Sequence, residues 1–131
     1  MKVLVDTCVW SRVLRYKQAD KNLTEQLTNL ISDGRVVIIG PIIQELLSGI
    51  SNLQQFEEIK EHLSSFESIP LKKEHFEKAA EFSNICRKKG IQGSTTDFLI
   101  CAVSFLENLL ILTVDKDFKK YQNYLPIRTI E

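Results

Sequence analysis

The stretch 1-MKVLVDT-7 decides how this chain is read. Four of its first five residues are apolar, and the run stops on Asp6. Val3 to Val5 therefore reads as a short buried strand, and Asp6 as an acid at its carboxyl end. A carboxylate is costly in a core unless something pairs with it. A helix N-cap would account for Asp6 plainly, because Thr7 to Arg15 carries Val9, Trp10, Val13 and Leu14 at helical spacing. The alternative is that other acids of the chain meet Asp6.

The same pattern recurs downstream. The run 109-LLILTV-114 also ends on an acid, Asp115, and 36-VVII-39 is a third near-continuous apolar run. Such runs suit strands buried on both faces. Helical patterns separate them: Leu23 to Ile31, 42–50 after Gly40-Pro41, 52–66, Lys72 to Lys89, and a helix from Ser94-Thr95-Thr96-Asp97 to about Leu106. Glu67 to Ile69 reads as a further short strand. Asp115 to Tyr121 reads as a short helix and Pro126 to Ile130 as a last strand. Strands alternating with helices imply an α/β fold, a parallel sheet with helices on both faces. Ligands of such sheets sit beyond the carboxyl ends of the strands.

Composition sets the outer limits. At 131 residues and 44% hydrophobic, with three prolines and five glycines, the chain suits a single globular domain over 1–131. Lys plus Arg equals Asp plus Glu, 17 each, so net charge names no partner. Acids committed to a cation would leave the remaining surface mildly basic. Cys8, Cys86 and Cys101 form no C-x-x-C pair and no cluster with histidine. They read as small hydrophobes in a reducing, cytoplasmic compartment rather than as a disulfide frame or zinc site. The N-terminus reaches Asp6 too soon for a signal-peptide core, and Phe98 to Val114 is broken by Glu107 and Asn108, so no membrane span is expected.

The acids carry the chemistry. Asp6 and Asp115 follow strands directly and fall at one carboxyl edge. Asp97 lies in the first turn of the helix leading into the second of those strands. Glu45 flanks the buried face of the helix after 36-VVII-39 and can reach over the same edge. Each has an ordinary use as a cap or a solvated side chain. Together they would repel one another without a counter-cation, while helix N-termini help keep them ionised. Ionised oxygens in a cluster suit magnesium or manganese, and the set contains no histidine or cysteine to favour zinc. A hard cation held this way most often serves phosphoryl chemistry. The chain has no Walker loop, no G-x-G-x-x-G and no G-x-S-x-G, and Cys8 occupies the place of the second acid of a D-x-D phosphatase motif. Metal-activated water is therefore favoured over covalent catalysis.

Four segments, VLVDTCVW, IIQELLSG, GSTTDFLICAVS and LTVDKDF, occur in this order across nearly the whole chain. In them the chain resembles PIN-domain ribonucleases of the VapC toxin type. The resemblance implies a three-layer fold with a short central parallel sheet of order 3-2-1-4-5. It implies Mg²⁺- or Mn²⁺-dependent RNA cleavage, a VapB-like protein antitoxin and a homodimer. It carries catalytic and metal-binding roles onto Asp6, Glu45, Asp97 and Asp115, and supporting roles onto Thr7 and Thr113. Asp117, two residues on and inside the first turn of the same helix, is rotated about 200° from Asp115, so it is expected to support the cluster or the helix dipole rather than share the metal. Other metal-dependent nucleases, acting on DNA or on particular structures, and a non-catalytic RNA- or partner-binding module of the same fold are the alternatives.

Arg12, Arg15 and Lys116 are candidate phosphate contacts beside the groove, each with a solvated-surface reading of its own. Trp10 reads as core. His62 and His75 read as surface residues of amphipathic helices.

Overall fold

A computed structural model describes residues 1–17 and 20–130. Its centre is a four-stranded sheet of order β3-β2-β1-β4, all parallel: β1 Val3–Val5, β2 Val36–Ile38, β3 Glu67–Ser68 and β4 Leu110–Leu112. Every residue of β1 and β2 is buried, so both faces of the sheet are covered, as near-continuous apolar runs require. The edge strand β3 is exposed and polar, and Glu67 pairs with Lys2. Charge on an edge opposes pairing with another chain.

The helices between the strands match the periodicities closely. They are α1 Thr7–Trp10, continued by a π-helical turn over Ser11–Arg15, α2 Lys21–Ser32, α3 Gly40–Leu47, α4 Leu53–Ser64, α5 Lys73–Lys88, α6 Thr95–Leu106 and α7 Asp117–Gln122. Asp20, Asn52 and Ser94 cap α2, α4 and α6 with their side chains. Trp10 is fully buried and packs its ring on Phe66 at 5.2 Å, which places it in the core. After α5, Gly90 takes a φ of +73°, and the Ile91 N–H bonds back to the Cys86 carbonyl at 2.9 Å. This left-handed turn suits glycine and sends the chain sharply towards α6.

Two expectations need correction. Among the described residues the fifth strand of the order 3-2-1-4-5 does not form. Around Pro126–Ile130 a single parallel bridge, Ile111 to Thr129, lies beside β4 where that strand was expected. Pro126 has no N–H to give, and β4 itself offers only three residues for pairing. The expectation that His75 is a surface residue is also overturned: it is 1% exposed. Its Nδ1 accepts the Lys72 backbone N–H at 2.9 Å, so it caps α5 while turned inward, and its Nε2 faces Glu107 at 3.6 Å. His62 is exposed as expected. Among the described residues no helix is long and apolar enough to cross a membrane.

Candidate metal centre

The sheet register brings the first acid to its partner. Val5 is level with Leu112 across β1 and β4, and the Asp6 N–H continues the ladder to the Leu112 carbonyl at 2.9 Å. One step further, Asp6 lies beside Thr113. The Thr113 hydroxyl donates to Asp6 Oδ2 at 2.8 Å and also accepts the Asp115 N–H at 3.0 Å. Asp6 Oδ1 accepts the Thr7 N–H at 2.7 Å, so Asp6 is an N-cap as well as a member of the cluster. It is only 4% exposed. Burial raises its carboxyl above the usual value, as does the charge of Asp97, while the bonds from Thr113, Cys8 and Thr7 oppose the rise. Thr7 itself is buried, and its hydroxyl has no partner among the described residues.

Asp97 occupies the first turn of α6. The Ser94 hydroxyl takes the Asp97 N–H at 3.0 Å, so Ser94, not the Asp97 carboxylate, caps the helix. The carboxylate turns away and accepts the Tyr121 hydroxyl on Oδ2 at 2.7 Å. Partial burial raises the Asp97 carboxyl most, and the charges of Asp115 and Glu45 add to it, against the bonds from Tyr121 and Ser94. Asp115 lies just outside α7, and its Oδ1 accepts the Asp117 N–H at 2.9 Å. Glu45 is exposed and lines a shallow cavity with Gln44, Ser48 and Thr96, the neighbour of Asp97.

One carboxylate oxygen each from Asp97, Asp115 and Asp117 lie within 4.8 Å of one another. This corrects the geometry expected for Asp117. The 200° rotation presumed that Asp115 begins the helix, but α7 begins at Asp117 itself. The two acids are instead joined by the turn in which Asp115 receives the Asp117 N–H, which holds their carboxylates on one side. Lys120 approaches Asp117 Oδ1 at 3.6 Å from the exposed face of α7.

Two neighbours of the acids carry no motif. Cys8, expected to be a small hydrophobe, donates its thiol to Asp6 Oδ2 at 3.2 Å and touches Thr113 Oγ1 at 3.5 Å. Burial and the Asp6 charge push its thiol up to about 11. Tyr121 is fully buried with its hydroxyl on Asp97. Its sequence signal is faint but present: it stands four residues after Asp117, on the same face of α7. The basic candidates divide. Arg12 and Lys116 are exposed, while Arg15 reaches the carbonyls of Ser48 and Gly49 at 3.5 and 3.2 Å.

Comparison with known proteins gives the fold a family. The model of a family described as the PIN domain matches residues 3–124. Among solved structures, the chain resembles VapBC2 from Rickettsia felis bound to a promoter DNA fragment, with TM-score 0.81 and 19% identity over 99% of this chain and 98% of that one. It resembles FitAcB from Neisseria gonorrhoeae, with TM-score 0.77 and 20% identity over 98% and 96%. It also resembles VapBC-5 from Mycobacterium tuberculosis, of the VapBC family of toxin-antitoxin systems, with TM-score 0.71 and 17% identity over 100% and 99%. At such identities the likeness speaks for the fold. A comparison with curated protein sequences gives no match.

Proposed function

The chain belongs to the PIN-domain family, and from that premise we propose that it is a metal-dependent endoribonuclease, the toxin of a toxin–antitoxin pair. The observation that carries this reading is the meeting of Asp97, Asp115 and Asp117 within 4.8 Å. The set fits a small hard cation. All its donors are oxygens, and the 4.8 Å span is close enough that a small inward shift of the side chains would bring them onto one ion at about 2.1 Å. Mg²⁺ or Mn²⁺ is the proposed ion. Asp97, Asp115 and Asp117 would hold it, with Asp6 and Glu45 facing the same cluster. A bound divalent ion supplies charge neutralisation for a phosphodiester and a water of lowered pKa.

The protein's own residues supply the rest. Thr113 fixes Asp6 and the start of the Asp115 turn through one hydroxyl, so two acids from two chain segments share one anchor. Helix α6 directs its N-terminal dipole at the cluster and offsets part of its negative charge. Glu45, exposed and lining one cavity with Thr96, would accept a proton from a water approaching the cluster. Lys116 and Arg12, both exposed, would receive flanking phosphates. A guanidinium or ammonium from a partner protein would meet the same anionic pocket, which is how a VapB-like antitoxin is proposed to block it. We place the toxin in the cytoplasm and read it as a homodimer.

The test is cleavage of RNA and DNA side by side, with Mg²⁺ or Mn²⁺ and with excess EDTA. RNA cut only with the metal is the expected result. Cleavage that survives EDTA, with contaminating nuclease excluded by an Asp6→Asn preparation, overturns the metal mechanism. Cleavage confined to DNA overturns the substrate.

A further inference from the structure

We propose that Tyr121 is a positioning residue for Asp97, and that position 93 is glycine because the Tyr121 hydroxyl needs the space a side chain would fill. The inference rests on the cation reading above. A buried phenol needs a partner for its hydroxyl. Tyr121, fully buried, takes a carboxylate of the acid cluster, Asp97 Oδ2, at 2.7 Å. That length falls within the range of an O–H bonded to a charged oxygen, a bond roughly twice as strong as one between neutral groups.

The ring cannot swing away from this bond. It packs against Phe98 and Phe118, each with centroids 5.2 Å from its own, one tilted and one edge-on. Phe98 is the residue after Asp97, so the same aromatic contact steadies the turn that carries the acid. Asp117 and Tyr121 stand four residues apart on α7 and share a face. One short helix therefore delivers a carboxylate to the cluster and a hydroxyl to the neighbouring carboxylate. Three acids this close push one another apart when no cation is present. A hydroxyl fixed on Asp97 opposes that push and holds its carboxylate in one orientation.

Gly93 closes the argument. Its φ is not among the positive ones, so backbone freedom does not explain the residue. Space does. A Cβ here would stand 2.4 Å from the Tyr121 hydroxyl oxygen and 2.9 Å from both Tyr121 Cζ and Phe98 Cζ. These atoms belong to packed rings and not to flexible chain ends. Gly93→Ala would drive the hydroxyl off Asp97.

Mn²⁺ binding to the full chain, measured by calorimetry and by electron paramagnetic resonance, tests this without relying on activity. Tyr121→Phe keeps the ring and removes only the hydroxyl. It should weaken Mn²⁺ binding by about tenfold, the usual effect of losing a group that orients a ligand, with little change in the melting temperature of the metal-free protein. In cleavage assays, the Mn²⁺ concentration for half-maximal rate should rise while kcat at saturating Mn²⁺ is largely kept. Gly93→Ala should weaken Mn²⁺ binding too, and the double variant should bind no worse than Gly93→Ala alone, since both changes break one contact. Tyr121→Phe binding within about twofold of wild type overturns the positioning role. Full additivity of the two changes overturns the link to Gly93. A wild-type protein that binds no Mn²⁺ overturns the cation reading and this inference with it.

Discussion

Removing the charge of Asp97 should stabilise the metal-free protein. Asp97 faces carboxylate oxygens of Asp115 and Asp117 within 4.8 Å. At that distance two unit charges repel by about 0.9 kcal/mol in water and about 3.5 kcal/mol at an effective dielectric of 20. The Asp117 side chain is 47% exposed, which draws its share towards the water figure. Against this, the Tyr121 hydroxyl would bond a neutral amide oxygen instead of a charged one, at a loss of about 1 kcal/mol. Asp97→Asn should therefore gain about 1–2 kcal/mol, or roughly 3–8 °C in Tm for a chain of this size. The assay is thermal unfolding by circular dichroism after chelation and desalting, near neutral pH and at low salt. The sign with pH follows from burial, which raises the Asp97 carboxyl above its ordinary 3.8. Stability tied to the protonated form is full below the unfolded value and is lost as pH rises through the folded one. The wild type should lose stability over that rise and the variant should not, so the gap closes on acidification. Mg²⁺ should reverse the order by stabilising the wild type alone. If Asp97→Asn instead lowers Tm under these conditions, Asp97 serves the dipole of α6 and the cluster is not strained by charge.

Three further outcomes follow from the contacts. Asp117→Asn and Asp115→Asn should each weaken Mn²⁺ binding by at least about tenfold, because both oxygens share the cluster with Asp97; undiminished affinity of the Asp117 variant would return Asp117 to a helix-dipole role. Thr113→Val removes the donor to Asp6 and the acceptor of the Asp115 N–H, so it should cost about 1–3 kcal/mol in urea unfolding and most of the cleavage rate, and a variant with wild-type values for both would show that the hydroxyl anchors nothing. His75→Leu should lose about 0.5–1.5 kcal/mol through the lost bond to the Lys72 N–H while leaving the cleavage rate intact; unchanged stability would mean that water satisfies that group.

The parts of the fold that could be read from the sequence are those set by local pattern. β1, β2 and β4 stand out because residues buried on both faces leave unbroken apolar runs. Pro126–Ile130 mixes apolar Ile127 and Ile130 with Arg128 and Thr129, and it forms only the Ile111–Thr129 bridge, since strand pairing depends on what the neighbour offers. His75 misleads for a related reason. Its capping bond to Lys72 is local, yet its burial comes from the packing of α5 on α6. The error over Asp117 is one of helix start: a shift of two residues changes which acids share a face. Cys8 lies beyond pattern reading, because its partners are fixed by packing rather than by spacing, and for Tyr121 the spacing from Asp117 marks a shared face but not the bond to Asp97.

The acids also show why a choice between cap and ligand is the wrong question to put to a sequence. An ionised carboxylate has about four acceptor sites, and capping uses only some of them. Asp6 gives Oδ1 to the Thr7 N–H and Oδ2 to both Thr113 and Cys8. It is the most heavily engaged of the cluster, and it lies outside the trio within 4.8 Å. Asp115 gives Oδ1 to the Asp117 N–H and keeps its other oxygen. Asp97 is relieved of capping by Ser94 and accepts the Tyr121 hydroxyl on one oxygen. The capacity left for a cation thus rises as capping duty is passed to other groups. Asp97 and Asp115 each keep one oxygen outside the hydrogen bonds described, whereas both oxygens of Asp6 are engaged, so in the proposed site Asp97 and Asp115 would face the cation and Asp6 would anchor the edge.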